Sequence, residues 1–358
     1  MRAALLSGLN EKLEVRDDFV LDGPGPGEVR LRMVASGVCH SDLSFQNGTI
    51  PIPLPSVIGH EGAGEVIAIG EGVSNVAVGD PVIIAWTPPC GTCVCCLEHQ
   101  PNLCMTGLIS AATPHIKLGN DVIFGGTGTP TFAEETVIPA IAAIPIPRDV
   151  PLDLAALVGC GVTTGMGAAM NTAKVHPGST VVVIGCGGVG ISVIQGARVS
   201  GAATIVAVDP VAKKREWAQQ FGATHAVAPD ELAGLTAELT QGRGFDYAFE
   251  VVGQSETIRS AWEATRRGGT TVVVGVASMD QKVEFSAFEL FYSEKRLIGS
   301  FYGSADVRTD FAKILQLWKS GKVDLENMVS QRIDLSEINE AFDAMQRGEV
   351  IRTVIEFS

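Results

Sequence analysis

Thr180-Val181-Val182-Val183-Ile184-Gly185-Cys186-Gly187-Gly188-Val189-Gly190 decides the fold. Five β-branched residues read as a buried strand, the glycines as a tight turn, and the apolar stretch Gly188 to Val199 as the helix that follows. A strand that turns through glycine into a helix presents backbone N–H groups at the helix N-terminus, where unpaired donors and the helix dipole favour a pyrophosphate. Nineteen residues beyond Gly190, Asp209 ends the next β-type run, Thr204 to Val208. A carboxylate there accepts hydrogen bonds from both adenosine-ribose hydroxyls and repels a 2'-phosphate, which favours NAD over NADP. Lys213, Lys214 and Arg215 close by soften that choice. The plain alternative is a glycine turn in a sheet that binds no nucleotide.

Outward from this stretch, strands and helices alternate. A helix over Ala212 to Gln220 and strands over Asp246 to Val251 and Thr270 to Gly275 predict βαβ units on a doubly wound parallel sheet. Before about Gly161 the texture differs. Short β-type runs (Glu28 to Val34, Gly64 to Ile69, Pro81 to Ala85) stand between Pro/Gly punctuation such as Gly23-Pro24-Gly25-Pro26-Gly27. This half predicts a mostly β, loop-rich domain. After about Tyr302 an amphipathic helix, Asp310 to Ser320, leads to a terminal strand near Val350 to Glu356 that could return to the first domain. The expected division is therefore 1–160 with 305–358, and 161–304.

The chain has 358 residues, of which 46% are hydrophobic and 18% charged, enough for two domains and unlike a disordered composition. Its net charge of -14 and the absence of a basic run longer than Lys213-Lys214-Arg215 argue against nucleic acid or an anionic membrane as partner. The uncharged stretches Leu154 to Ala173 and Ser179 to Ala197 approach the length of a membrane span, but Gly, Thr and Ser break both into short core elements. Met1 to Gly8 offers only a four-residue apolar run, too short for a signal-peptide core, so the expected location is the cytoplasm.

Five of eight cysteines crowd between Cys90 and Cys104. Cys90-x-x-Cys93-x-x-Cys96-x7-Cys104 can wrap four thiolates round a tetrahedral ion, and with no open position left the site would be structural zinc. Free thiols or disulfides are the alternative; Cys95 is surplus. A dispersed set, Cys39, His60 and Cys160, offers two sulfurs and one imidazole with a fourth position left for water or substrate, as a catalytic zinc requires. Taken singly, each of these residues is more often ordinary core or loop.

Together these residues resemble the zinc-dependent medium-chain alcohol dehydrogenases, along essentially the whole chain. Gly59-His60-Glu61-x-x-Gly64-x5-Gly70-x-x-Val73 fits the zinc signature, and the four-cysteine loop, Gly159-Cys160-Gly161, the glycine turn and Asp209 follow in the expected order. The resemblance implies an α/β architecture, a GroES-like catalytic domain plus a Rossmann cofactor domain, with two zinc ions per subunit. It implies a catalytic zinc held by Cys39, His60 and Cys160, with Glu61 beside it or exchanging with a ligand, and Asp42 orienting His60. Ser41 would hydrogen-bond the alcohol. His40 and Arg352 match positions at the cofactor pyrophosphate, Lys214 one near the adenosine ribose, and Thr164 and Val189 ones beside the nicotinamide. Gly185, Gly187, Gly188 and Gly190 form the cofactor turn. The implied reaction is reversible hydride transfer from a primary alcohol to NAD, giving the aldehyde, with zinc as Lewis acid.

Trp86 falls where relatives line the substrate pocket, and an indole favours flat aromatic or allylic alcohols. Ordinary core is the alternative for it. Ser44 stands where many relatives end a proton relay in histidine, and Ile50 where glutathione-dependent formaldehyde dehydrogenases carry an acid. The loop between Cys104 and Phe132 is shorter than in the animal enzymes. The rival readings are oxidation of an S-hydroxymethyl thiol and a zinc- and NAD-binding regulatory protein without turnover. Arg296 to Phe301 matches the segment through which relatives join two cofactor sheets, which predicts a homodimer or tetramer.

Overall fold

The run Thr180–Ile184 is a strand, buried from Val181 onward, and lies inside a six-stranded parallel sheet. Strand order is His225–Val227, Thr204–Val208, Thr180–Ile184, Phe245–Glu250, Thr265–Val273, Arg296–Gly299. In chain order this is 3-2-1-4-5-6, doubly wound with its reversal between Thr180–Ile184 and Phe245–Glu250. The register sets Ile184 level with Val208 on one side and Glu250 on the other, and Glu250 level with Val273. The segments that leave these strands therefore gather at one edge of the sheet. Helix Gly188–Val199 starts there, and its residues Gly190 to Ala197 are buried.

The computed structural model describes residues 1–110 and 113–357. It falls into two units, Met1–Gly161 with Asp306–Ser358, and Val162–Ala305, each border one residue later than in the sequence reading. Ala111 and Ala112, inside the Cys104–Phe132 segment, lie outside the described residues.

The first unit is built on a seven-stranded sheet. Ala143–Pro145, Pro81–Ile84, Glu61–Ile69, Glu28–Val38, Arg352–Glu356 and Val329–Ile333 follow one another, and Glu135–Pro139 also pairs with Glu28–Val38. Two three-stranded sheets accompany it. Glu28–Val38 is the spine, and it runs four residues past the end expected from its own sequence. The reason is remote: Arg352–Glu356 pairs antiparallel with Ala35–Val38, so the side of that extension not paired with Glu61–Ala63 is satisfied by the far end of the chain. Gly37 faces Glu61 across the neighbouring pair, which brings the ends of three strands to one place.

Leu152–Thr172 is one helical run long and apolar enough to cross a membrane, yet 83% of its apolar window is buried inside the protein, as in a core helix. It is not uniform. Leu152–Leu157 and Thr163–Gly167 are α-helical, while Val158–Val162 and Ala168–Thr172 are wound as π-helix. Such wide turns are rare and concentrate at functional sites. Cys160 sits in the first.

Candidate active site and metal centres

Cys39 closes the spine strand in extended conformation (φ -114°, ψ 152°) and caps helix His40–Gln46. Asp42, three residues into that turn, is fully buried. Its Oδ2 accepts the Cys39 N–H at 2.9 Å, and its Oδ1 lies 2.8 Å from His60 Nδ1. One carboxylate thus caps the helix and fixes the imidazole. With Nδ1 engaged, Nε2 is the nitrogen left for a ligand bond.

Cys160 arrives from the π-turn, and both glycines beside it sit in tight quarters. A Cβ at Gly159 would come 3.1 Å from the Ile84 carbonyl oxygen, and one at Gly161 would meet Glu61 Oε1 at 3.1 Å and the Arg352 guanidinium at 3.3 Å. The ligand atoms of Cys39, His60 and Cys160 all lie within 4.8 Å of one another, and all three residues are buried. Hydrogen bonding from Cys160 holds the Cys39 thiol well below its ordinary range, against the opposing effect of burial. Burial disfavours charge on His60, yet the Asp42 carboxylate beside it raises the ring to about 10. Two ionisable sulfurs and an oriented imidazole, dry and convergent, are a donor set that suits zinc with one position open.

Glu61 is also fully buried. Its Oε1 accepts the Gly161 N–H at 2.6 Å, and its Oε2 is paired with Arg352 Nη2. Arg352 is therefore buried at 5% exposure, on Glu61 rather than at an open surface. Phe45 and Trp86 set their rings edge-on to the His60 imidazole, with centroids 5.9 and 6.1 Å away. Ser41 is half-buried and His40 exposed on the same short helix. Ser44 is turned back along it, its hydroxyl donating to the His40 carbonyl at 3.1 Å. The sequence marked Glu61 and Arg352 separately and not as a pair, and it gave no sign of Phe45 or Gly37.

Cys90, Cys93, Cys96 and Cys104 form the second cluster, again with all sulfurs within 4.8 Å. The Cys93 and Cys104 sulfurs stand 3.8 Å apart, the edge of a tetrahedron with zinc–sulfur bonds of about 2.3 Å. Backbone N–H groups aim at these sulfurs: Thr92 and Cys93 at Cys90, Cys90 and Gly107 at Cys104. Those of Thr92 and Cys93 pull the Cys90 thiol down to about 5, while burial pushes Cys96 up to about 12. Four sulfurs this close resist joint ionisation unless a cation balances them, so the donor chemistry again fits a metal. None of the eight cysteines is in a disulfide, and Cys95 stands apart from the cluster.

In the second unit, Gly185 leaves its strand with φ +97°, and a Cβ there would press within 2.8 Å of Val252 Cγ2. Gly187 caps helix Gly188–Val199, and no atom lies within 4 Å of where its Cβ would be. Open space over the first turn of a twelve-residue helix is what a phosphate approaching those amides needs. Gly190 is closed instead: a Cβ would overlap the Gly185 carbonyl. Asp209 is buried, its oxygens accepting the Cys186 and Val211 N–H groups at 2.9 Å each. Thr164, Val189 and Lys214 are partly exposed, and Arg215 folds back onto the Asp209 and Pro210 carbonyls.

Residues 25–148 match the alcohol dehydrogenase GroES-like domain and residues 188–320 the zinc-binding dehydrogenase domain. The chain belongs to the zinc-binding medium-chain alcohol dehydrogenase family, oxidoreductases that act on small molecules. Among its relatives, the class-3 alcohol dehydrogenase of Cereibacter sphaeroides is 39% identical over 99% of both chains, and the S-(hydroxymethyl)glutathione dehydrogenase of Paracoccus denitrificans 37% identical over 99% of both. Among solved structures, the benzyl alcohol dehydrogenase of Acinetobacter calcoaceticus superimposes with a TM-score of 0.92 at 30% identity, covering 100% of this chain and 99% of that one.

Proposed function

We propose that this protein is an NAD-dependent zinc alcohol dehydrogenase that oxidises a primary alcohol, aromatic or allylic, to its aldehyde, reversibly. The observation that carries the reading is the buried convergence of Cys39, His60 and Cys160 next to Trp86. Residues 1–160 with 305–358 would form the catalytic domain and 161–304 the NAD-binding domain.

Cys39, His60 and Cys160 would hold a catalytic zinc, and Cys90, Cys93, Cys96 and Cys104 a structural one. When bound, the catalytic zinc supplies Lewis acidity toward the alcohol oxygen, and NAD accepts the hydride. The residues of the chain do the rest. Asp42 holds His60 in the tautomer that leaves Nε2 free. The Ser41 hydroxyl would accept a hydrogen bond from the alcohol O–H, and as the alcohol proton moves onto it, its own proton would leave to water. Trp86 and Phe45 keep the site dry and flat-walled, which orients an aromatic or allylic substrate. Gly185, Gly187, Gly188, Val189 and Gly190 bind pyrophosphate through backbone N–H groups, Asp209 takes the adenosine-ribose hydroxyls with Lys214 beside it, and Thr164 faces the nicotinamide. The resemblance also assigns His40 and Arg352 to the pyrophosphate; His40 is exposed, whereas Arg352 is buried on Glu61, which speaks against its share of that role.

A homodimer or tetramer fits the open edge of the sheet at Arg296–Gly299, where Leu297 is exposed, with Phe301 exposed just after it.

Oxidation of an S-hydroxymethyl thiol is the second reading, favoured by the names of the two relatives above and disfavoured by Ile50. NADH formation by the metal-analysed protein against benzyl, cinnamyl, terpene and short aliphatic alcohols and an S-hydroxymethyl thiol separates them. Preference for aromatic or allylic members with NAD well ahead of NADP is the expected result. Turnover of the thiol adduct alone establishes the second reading, and no turnover at full zinc occupancy leaves a binding protein.

A further inference from the structure

Glu250 ends the strand beside Thr180–Ile184, at the reversal of strand order in the cofactor sheet, and it is completely buried. No Lys, Arg or His pairs with it among the described residues. Its Oε1 instead accepts three hydrogen bonds: from Val252 N–H at 2.8 Å, Gly253 N–H at 2.7 Å and Thr257 Oγ1 at 2.7 Å. Its Oε2 is buried with no partner. A carboxylate taken out of water without a cation costs stability, and an apolar side chain of the same volume is often as good or better for folding alone. What Glu250 secures is the conformation of one loop.

That loop stands against the glycine turn. Val251 N–H donates to the Ile184 carbonyl at 2.9 Å, which ties it to the residue just before the glycine turn, and Val252 lies against Gly185. Gly253 turns the chain at φ +87° and packs against Gly275 and Val276, at the end of the next strand. The loop presents Val252, 43% exposed, beside the turn. In doubly wound sheets ligands bind in the crevice at this reversal, outside the carboxyl ends of the strands.

We propose that Glu250 is a positioning residue for the dinucleotide: by gathering the Val252 and Gly253 amides and the Thr257 hydroxyl onto one oxygen, it holds the Val251–Gly253 wall at the distance from the Gly185 turn that the cofactor needs. The inference rests on the dinucleotide reading of this crevice. It assigns the work to acceptor geometry and not to charge, since the second oxygen has no partner. Gln keeps the acceptor and Leu only the volume.

The test is NADH titration, followed by fluorescence, of the zinc-loaded full chain as wild type, Glu250→Gln, Glu250→Leu and Thr257→Val. Hydrogen exchange at the Val252 and Gly253 amides and the melting temperature are read alongside. Expected results are an NADH Kd within about threefold of wild type for Glu250→Gln and raised about tenfold or more for Glu250→Leu. KM for NAD should follow, with kcat changing far less, and the two amides should exchange faster. Should Glu250→Leu fail to fold, Thr257→Val, which removes one donor at the surface end, must raise the Kd at least twofold at an unchanged melting temperature. A folded Glu250→Leu that binds NADH as wild type does, a Thr257→Val without effect where Leu does not fold, or a Glu250→Gln as impaired as Leu overturns the assignment. A wild-type protein that binds neither NADH nor NADPH overturns the dinucleotide reading itself, and the assignment with it.

Discussion

Asp42 Oδ1 lies 2.8 Å from His60 Nδ1 while the other oxygen of the same buried carboxylate holds the Cys39 N–H, so two members of the buried triad take their positions from one residue. Asp42→Asn keeps an acceptor for one partner and cannot serve both with the same charge. We expect it to lower metal affinity at the triad about 10- to 100-fold, the usual effect of removing an outer partner of a metal-bound histidine. The four-cysteine cluster should keep its ion. Metal analysis after dialysis against a graded chelator checks this, and loss of both ions together, or of neither, would contradict it.

The four-cysteine lobe makes the complementary case. Its sulfurs are held by backbone N–H groups of the same short stretch, so its shape and the zinc proposed for it would depend on each other. Cys90→Ala should yield a protein with one zinc per chain, a lower melting temperature and a triad still able to bind metal. Two zinc ions per chain in that variant would remove the structural assignment.

Both clusters were legible because their ligand types and spacings are unusual, and the parallel sheet because a continuous β-branched run followed by glycine has few other readings. Thr180–Ile184, Gly188–Val199, Thr204–Val208 and Ala212–Gln220 lie where the sequence placed them. The misses in strand extent and side-chain pairing share a cause, which is separation along the chain. Glu28–Val38 outlasts its local signal because residues 352–356 complete its ladder, and Thr265–Val273 starts before its apolar core by passing an irregularity at Phe245/Tyr247. Arg352 carried no sign that it would lie on Glu61, since pairings across 291 residues leave no local trace. The π-turn at Cys160 was hidden in a stretch that reads as plain helix.

Gly37 shows what such a pairing demands. It faces Glu61 across the sheet, and a Cβ there would overlap Glu61 Oε2 and stand 3.2 Å from Glu61 Cβ. Gly37→Ala should therefore push the carboxylate off Arg352 and cost about 1–3 kcal/mol, the usual penalty of overpacking a tight site. Chemical denaturation measures it; a variant as stable as wild type would show that Glu61 has room to move.

Glu289 offers a pH test remote from any metal ligand. It accepts two hydrogen bonds from Arg259, at 2.7 and 3.0 Å, and one from Trp262 Nε1 at 2.5 Å. Arg259 draws its pKa below the ordinary carboxylate value, burial opposes, and Trp262 adds to the lowering. A carboxylate depressed in the folded state contributes stability above its unfolded pKa, about 4.3, and loses it as pH falls through the lower folded value. The melting temperature of Glu289→Gln should fall below wild type at neutral pH, and the gap should shrink progressively below about pH 4. A gap independent of pH would assign the difference to packing alone.

The proposed substrate class can be tested at Trp86. Its ring stands edge-on to His60 with centroids 6.1 Å apart, which on the proposed reading puts an indole beside the triad where an alcohol would bind. An aromatic or allylic alcohol gains both buried area and ring contact there, and a short aliphatic alcohol reaches too little of the wall to gain either. Trp86→Ala should lower kcat/KM for benzyl and cinnamyl alcohols about tenfold, the equivalent of ~1.4 kcal/mol of ring contact, and leave ethanol nearly unchanged. Retention of two zinc ions per chain separates this from a collapsed site. If the ranking of aromatic over aliphatic alcohols persists in that variant, Trp86 is packing for His60 and the specificity lies on another wall.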